Sequence, residues 1–172
     1  MKNIEDLEKK LKTKASISMV LDYNGTVTST EPKINSPFSN TIFKRVLENF
    51  ARKDYIKIIV ITGRKISDFR EEFGISLEEI DIYGYSDNKF HNDDGTSFAK
   101  KEAILDEVLA KNPYYDVIYI GDDKSLIGKT KKLEGSSIGI LPLCEAGEKL
   151  VDFSISQNKF EEFLITANNL YL

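Results

Sequence analysis

The chain carries one cysteine, Cys144, and one histidine, His91. A single thiol excludes an internal disulfide and a zinc site built from thiolates. A single imidazole means that any Ser-His-Asp or Cys-His arrangement would have to use His91, and it excludes HExxH-type metal sites. His91 itself stands in a polar stretch and reads as a surface residue. No stretch approaches the ~18 uninterrupted apolar residues of a membrane-spanning helix. Met1 to Lys14 is charged and amphipathic and has no apolar core of the signal-peptide kind, so the expected location is the cytoplasm. A basic excess is also missing: 24 Lys and Arg against 28 Asp and Glu give a net charge of −4, with a pI near 5.2. That balance argues against a nucleic-acid groove. Lys129, Lys131 and Lys132 read as a solvated helix face. The chemistry left open is that of carboxylates, lysines, hydroxyls and a hard cation.

What is present is an alternation. Ile17 to Leu21, Ile56 to Ile61, Ile80 to Tyr83, Val117 to Ile120 and Ile138 to Leu141 are short apolar runs. The second and fourth are rich in β-branched residues, as strands covered on both faces are. Helical patterns lie between and around them, over Asn3 to Leu11, Thr41 to Ala51, Ser67 to Phe73, Ala99 to Ala110, Ser125 to Leu133 and Lys159 to Asn168. Strand–helix alternation implies βαβ units with right-handed crossovers. The expected fold is α/β, a three-layer Rossmann-like parallel sheet with helices on both faces. Its 172 residues suit a single domain spanning 1–172, with no repeat or linker and with prolines only between elements.

In open parallel sheets ligands bind beyond the carboxyl ends of the strands, where strand order reverses. The first strand runs into Asp22-Tyr23-Asn24-Gly25-Thr26, the second into Thr62-Gly63-Arg64, the fourth into Gly121-Asp122-Asp123. Two strand ends therefore deliver carboxylates and a third a hydroxyl. A strand-end aspartate is held rigidly and can attack phosphorus. Gly25 permits a turn that aims amide groups at an anion, and Thr62 with Gly63 marks another anion-friendly place. Asp22 and Asp122 together make a hard, all-oxygen set suited to Mg2+, and a lysine would balance the charge.

Each piece has a plainer reading. Asn24-Gly25 is also a type I′ hairpin turn, although Ser18 to Leu21 lacks the strict alternation of a half-exposed strand. Thr62 is also a helix cap, Asp122-Asp123 a surface turn, and Asp93-Asp94-Gly95 a turn. Gly128-Lys129-Thr130 resembles the end of a phosphate-binding P-loop, but the glycine required five positions earlier is Asp123. Tyr114, Tyr115 and Tyr119 read as core or edge packing.

Taken together, DYNGTV (22–27), ITGR (61–64), the lysine of FAKKEAI (98–104) and YIGDD (119–123) resemble the four motifs of the haloacid dehalogenase (HAD) superfamily. The surroundings are similar to its trehalose-6-phosphate phosphatase branch, with LDYDGTL, SGR, KGxA and GDDxTDE. The resemblance covers about residues 16 to 168. It implies a phosphatase or phosphotransferase in which Asp22 is the nucleophile and also binds Mg2+. It implies that Asn24 lends the metal its backbone carbonyl and that Thr62 bonds the phosphoryl oxygens. Gly25, Thr26, Gly63 and Arg64 would line the phosphate site. Lys100 would be the charge-balancing lysine, with Lys101 the less favoured alternative. Asp122 would be a metal ligand and Asp123 a direct or indirect one. The partner implied is a phosphorylated small molecule or a larger phosphorylated substrate.

Three departures qualify that expectation. Asn24 stands where the family places its general acid, a service typically worth roughly 10²–10⁴-fold in rate. P-type ATPases and the dehalogenases themselves also have a non-acid there. The acidic residue near the end of GDDxTDE is replaced by Leu126. Only the 35 residues 65–99 separate Arg64 from Lys100, and Ser86 to Ser97 reads as a polar loop or hairpin in place of a cap domain. In this family a missing cap implies an open site, suited to a large substrate or to closure by a second copy of the chain. The alternative to an enzyme is a degenerate relative that binds a phosphorylated ligand or partner without efficient turnover.

Overall fold

A computed structural model describes residues 1–22, 41–73, 79–141 and 151–171, without the side chains of 41–43, 72, 73 and 141. The described elements run, in chain order, α1 (Ile4–Lys12), β1 (Ile17–Asp22), α2 (Thr41–Ala51), β2 (Ile56–Ile61), α3 (Ile66–Phe73), β3 (Ile80–Ser86), β4 (Lys89–Asn92), β5 (Ser97–Phe98), α4 (Lys101–Lys111), β6 (Asp116–Ile120), α5 (Lys124–Lys132), β7 (Ser136–Leu141), β8 (Phe153–Ser156) and α6 (Gln157–Tyr171).

One sheet holds all eight strands in the order β5-β4-β3-β2-β1-β6-β7-β8. The six strands from β3 to β8 across the centre pair in parallel. At one edge β3, β4 and β5 pair antiparallel. Every residue of β1 is buried, and β2 is buried at all but Lys57, which is what a strand covered on both faces requires. Burial of each such Ile or Val contributes about 1.5–3 kcal/mol.

The alternation of side chains divides the sheet into two faces. Ile17, Met19 and Leu21 pack with Leu7 and Leu11 of α1, Val46, Leu47 and Phe50 of α2, and Phe160 and Leu164 of α6. Val20, Ile59, Ile61 and Tyr119 pack on the other side with Ile104, Leu105 and Val108 of α4 and Leu126 and Ile127 of α5. The three-layer α/β arrangement expected from the alternating pattern is the observed one. No helix of the described residues is long and apolar enough to cross a membrane.

Differences lie at the sheet's edges. The third strand reaches Ser86, not Tyr83, because a tight turn at Asp87 and Asn88, both at positive φ (52° and 60°), folds β4 back against it. The hairpin alternative for 86–97 is thus what the structure has. His91 belongs to it: its Nε2 lies 2.9 Å from the Ser86 carbonyl oxygen and its Nδ1 3.1 Å from the Ser97 hydroxyl. Strand β8 was not foreseen, since FSIS is short and half polar and gains its place by pairing with β7.

The chain goes from β1 outward to β2 on one side, while β6 and β7 extend the sheet on the other. Strand order therefore reverses between β1 and β6, and in open α/β sheets ligands bind beyond the carboxyl ends of such strands.

Candidate active site

β1 ends in Asp22 at that switch point. Its partner across β2 is Ile61, and across β6 the register Leu21↔Ile120 puts Gly121 beside it. Asp22 follows Val20 in the strand's alternation and so faces the α4/α5 side. It is 1% exposed. Oδ2 accepts a hydrogen bond from the Tyr119 hydroxyl at 2.9 Å and from Lys101 Nζ at 3.4 Å. Oδ1 is buried and has no hydrogen-bond partner among the described residues. A buried carboxylate oxygen without a partner is costly, and active sites are where such groups persist.

Burial pushes the Asp22 carboxyl up to about 6, against the opposing pull of the Lys101 charge and the Tyr119 hydrogen bond, while the Asp123 charge pushes the same way as burial. Asp22 is therefore mostly ionised at neutral pH. Burial, the Asp22 charge and the bond to Asp22 raise the Tyr119 hydroxyl well above its ordinary value, so Tyr119 stays a donor.

Asp123 is placed differently. It is the N-cap of α5: Oδ1 accepts from the Ser125 amide at 3.0 Å, the Ser125 hydroxyl at 2.8 Å and the Leu126 amide at 3.2 Å. Its Oδ2 lies 3.5 Å from Lys101 Nζ. Although burial pushes its carboxyl up, the Ser125 hydroxyl, the two amides and Lys101 together hold it below the ordinary value. Asp123, expected as a direct or indirect metal ligand, thus has its oxygens at a helix cap and beside a lysine. Leu126 is fully buried among the α4/α5-side core residues. The position where a carboxylate was expected supplies packing.

Lys101, not Lys100, approaches Asp22. Lys100 is the exposed N-cap residue of α4, with no side-chain cap bond. A signal for this lies in the sequence: Lys101, Ile104, Leu105 and Val108 fall at i, i+3, i+4 and i+7, one helix face. Those three apolar residues are the buried ones of α4. One helical step away, Lys100 points elsewhere.

Thr62 is buried just past β2. Its amide donates to the Tyr83 carbonyl at 2.9 Å, and its hydroxyl accepts from the Arg64 amide at 3.2 Å. Gly63 and Arg64 are exposed, and the Arg64 carbonyl accepts from the Tyr85 amide at 2.7 Å. Asp122 is half-buried directly after Gly121. Asn24, Gly25 and Thr26 lie outside the described residues. Among the described residues no three His, Cys, Asp or Glu side chains gather as a metal-holding group. The residue beside Asp22 that the sequence did not point to is Tyr119. It was read as packing, and its ring does pack, but its hydroxyl reaches Asp22.

No family model and no curated protein matches the sequence. Solved structures do. The chain resembles Aspergillus fumigatus trehalose-6-phosphate phosphatase at 14% identity, covering 94% of this chain and 97% of that one, with a TM-score of 0.64. It resembles the C-terminal domain of the C. albicans trehalose-6-phosphate phosphatase at 11% identity, covering 98% and 97%, with a TM-score of 0.69. A third likeness is to 3-deoxy-D-manno-octulosonate 8-phosphate phosphatase from Moraxella catarrhalis, solved with magnesium, phosphate and KDO, at 19% identity over 98% and 95% with a TM-score of 0.56. At these identities the likeness shows the fold alone, an α/β sheet of the kind these phosphatases carry.

Proposed function

We propose that this HAD-like chain is a phosphatase or phosphotransferase that works through a phospho-aspartate at Asp22 and uses Mg2+. The observation that carries this is the state of Asp22: a buried, mostly ionised strand-end carboxylate at the point where strand order reverses, one oxygen held by Tyr119 and Lys101 and the other without a partner among the described residues. A carboxylate oxygen attacks the phosphorus of a phosphate ester. The bond from phosphorus to the leaving oxygen breaks, and its electron pair departs with that oxygen. Water, or another acceptor hydroxyl, then attacks the same phosphorus. The aspartyl–phosphorus bond breaks, Asp22 is restored, and the attacking oxygen's proton passes to solvent. Lys101 keeps a positive charge at the carboxylate throughout.

The described donors suit a hard cation: Asp22 Oδ1, which has no partner among the described residues, and Asp122 one step past the neighbouring strand end; the Asn24 carbonyl, outside the described residues, would be the third. Two carboxylates with a carbonyl are enough for Mg2+, which keeps several waters. Bound there, it would neutralise charge developing on the phosphoryl group.

Asn24 cannot protonate a departing alkoxide, so esters with acidic leaving groups are the better substrates. The partner is a phosphorylated small molecule or a larger phosphorylated molecule, and a second copy of the chain is a candidate to close the open site. Asn24 and Leu126 favour a second reading, a degenerate relative that binds the phosphorylated ligand without efficient turnover.

The test uses p-nitrophenyl phosphate with Mg2+. Turnover is expected, and Asp22→Asn should reduce it at least 10³-fold, since the bond-forming oxygen is replaced by an amide. Turnover that survives Asp22→Asn refutes the nucleophile. Absence of turnover, together with a rise in melting temperature on adding beryllofluoride and Mg2+, selects the binding-only reading.

A further inference from the structure

We propose that Tyr119 is a positioning residue for Asp22: lying along β6 over Gly121, it clamps one carboxylate oxygen and so fixes the plane in which the nucleophile is presented. The inference rests on the reading of Asp22 as nucleophile.

The geometry comes from the strand register. Tyr119 pairs with Val20, two residues before Asp22 and on the same face. Two residues of strand rise about 6.6 Å, close to the reach of a tyrosine from Cα to its hydroxyl. The side chain therefore leans along its strand and meets Asp22 as a diagonal cross-strand neighbour. Its path runs over position 121. A Cβ there would lie 2.1 Å from the Tyr119 hydroxyl oxygen and 2.3 Å from Cζ. Gly121 is the residue that lets the ring lie flat along the strand.

The hydroxyl has two partners, and both belong to the site. It donates to Asp22 Oδ2 at 2.9 Å and accepts from the Asp123 amide at 3.3 Å. The turn after β6 is thereby tied to the end of β1 through one buried phenol. The ring is fully buried and would fill its place equally well as phenylalanine. The oxygen is what the core does not need. Without it the Asp22 carboxylate loses its shorter hydrogen bond and can turn about Cβ–Cγ, with Lys101 at 3.4 Å its one remaining hydrogen-bond partner among the described residues.

The experiment measures p-nitrophenyl phosphate turnover with Mg2+ for the full chain and for Tyr119→Phe, Gly121→Ala and the double variant. Removing a hydrogen bond to a charged group should lower kcat about 10- to 100-fold, with KM within about twofold and the melting temperature of Tyr119→Phe within a few degrees. Gly121→Ala keeps the phenol but drives its ring and hydroxyl from their place beside Asp22, and should reproduce the loss of kcat. The double variant should lose little more than the worse single one, because both break the same contact. An unchanged kcat in Tyr119→Phe overturns the proposal, whether or not the melting temperature falls. So does a change confined to KM, or full additivity in the double variant. If wild-type turnover is absent or persists in Asp22→Asn, the nucleophile reading fails and this inference falls with it. If turnover depends on Asp22 and not on Tyr119, only this inference fails.

Discussion

Asp22 and Asp123 stand at neighbouring strand ends and share one lysine, yet the chain treats them in opposite ways. Asp123 has three donors on one oxygen and Lys101 near the other, and its acidity is enhanced despite burial. Asp22 has two donors on one oxygen and none described on the other, and its carboxyl is pushed up to about 6. Both carry a desolvation penalty, and Asp22, at 1% exposed against 29% for Asp123, carries the larger one. The supply of donors then widens the difference, since it offsets burial at Asp123 and not at Asp22. Asp123 is a carboxylate put to structural use at a helix terminus, where fixed amides favour negative charge. Asp22 is one whose charge is tolerated at a cost to the fold, the state that suits the proposed nucleophile.

The contrast is broken most strongly by removing the Asp22 charge. In the unfolded chain this carboxyl titrates near 3.8 and in the folded protein at about 6. Between those values the folded state holds more protons, so stability falls as pH rises through the window, and the full penalty persists above pH 6. Asp22→Asn in metal-free protein should therefore be more stable than wild type at pH 7.5. The gain should be at most roughly 3 kcal/mol, from 1.36 kcal/mol per pKa unit. The advantage should shrink toward zero near pH 4. Melting temperatures across pH 4–8 check this, and a variant less stable than wild type at pH 7.5 would remove the claim that Asp22 is a strained charge.

Lys101 is the group both aspartates share, and its loss should affect Asp22 more. Lys101→Met removes the nearest positive charge from a buried carboxylate and should lower kcat on p-nitrophenyl phosphate about 10²-fold. The acid limb of the pH profile should move to higher pH, since the Lys101 charge holds the Asp22 carboxyl down. Lys100→Met should change kcat less than about twofold, because Lys100 is exposed at the start of α4. Equal losses in the two variants would restore Lys100 to the site.

These two lysines show where sequence reading stops. Runs such as IKIIVI and VIYI declare buried parallel strands through β-branched density, and a residue at a strand's carboxyl end is placed by topology alone. Asp22 and Thr62 were legible for that reason. Choosing between Lys100 and Lys101 needs the phase of a helix, and motif alignment overrode the i, i+3, i+4, i+7 stripe that carried it. Tyr119 was illegible for another reason: hydropathy and strand pattern give a tyrosine's ring, and only coordinates give the direction of its hydroxyl. Short edge strands such as β4 and β8 form through pairing, not through their own composition.

The smallest expected effect is at Asp123 itself. Asp123→Ala removes the α5 N-cap and should cost about 1 kcal/mol, which in a chain of this size lowers the melting temperature by roughly 2–4 °C. It also takes a negative charge from beside Asp22, whose carboxyl that charge pushes up. The acid limb of turnover should therefore shift to lower pH, opposite in direction to Lys101→Met, while kcat at pH 7.5 changes little. Two variants on either side of one ion pair moving the same limb in opposite directions is the result that separates a structural carboxylate from a reactive one. A limb that moves the same way in both would mean the two aspartates are not electrostatically distinct, and the contrast between them would fail.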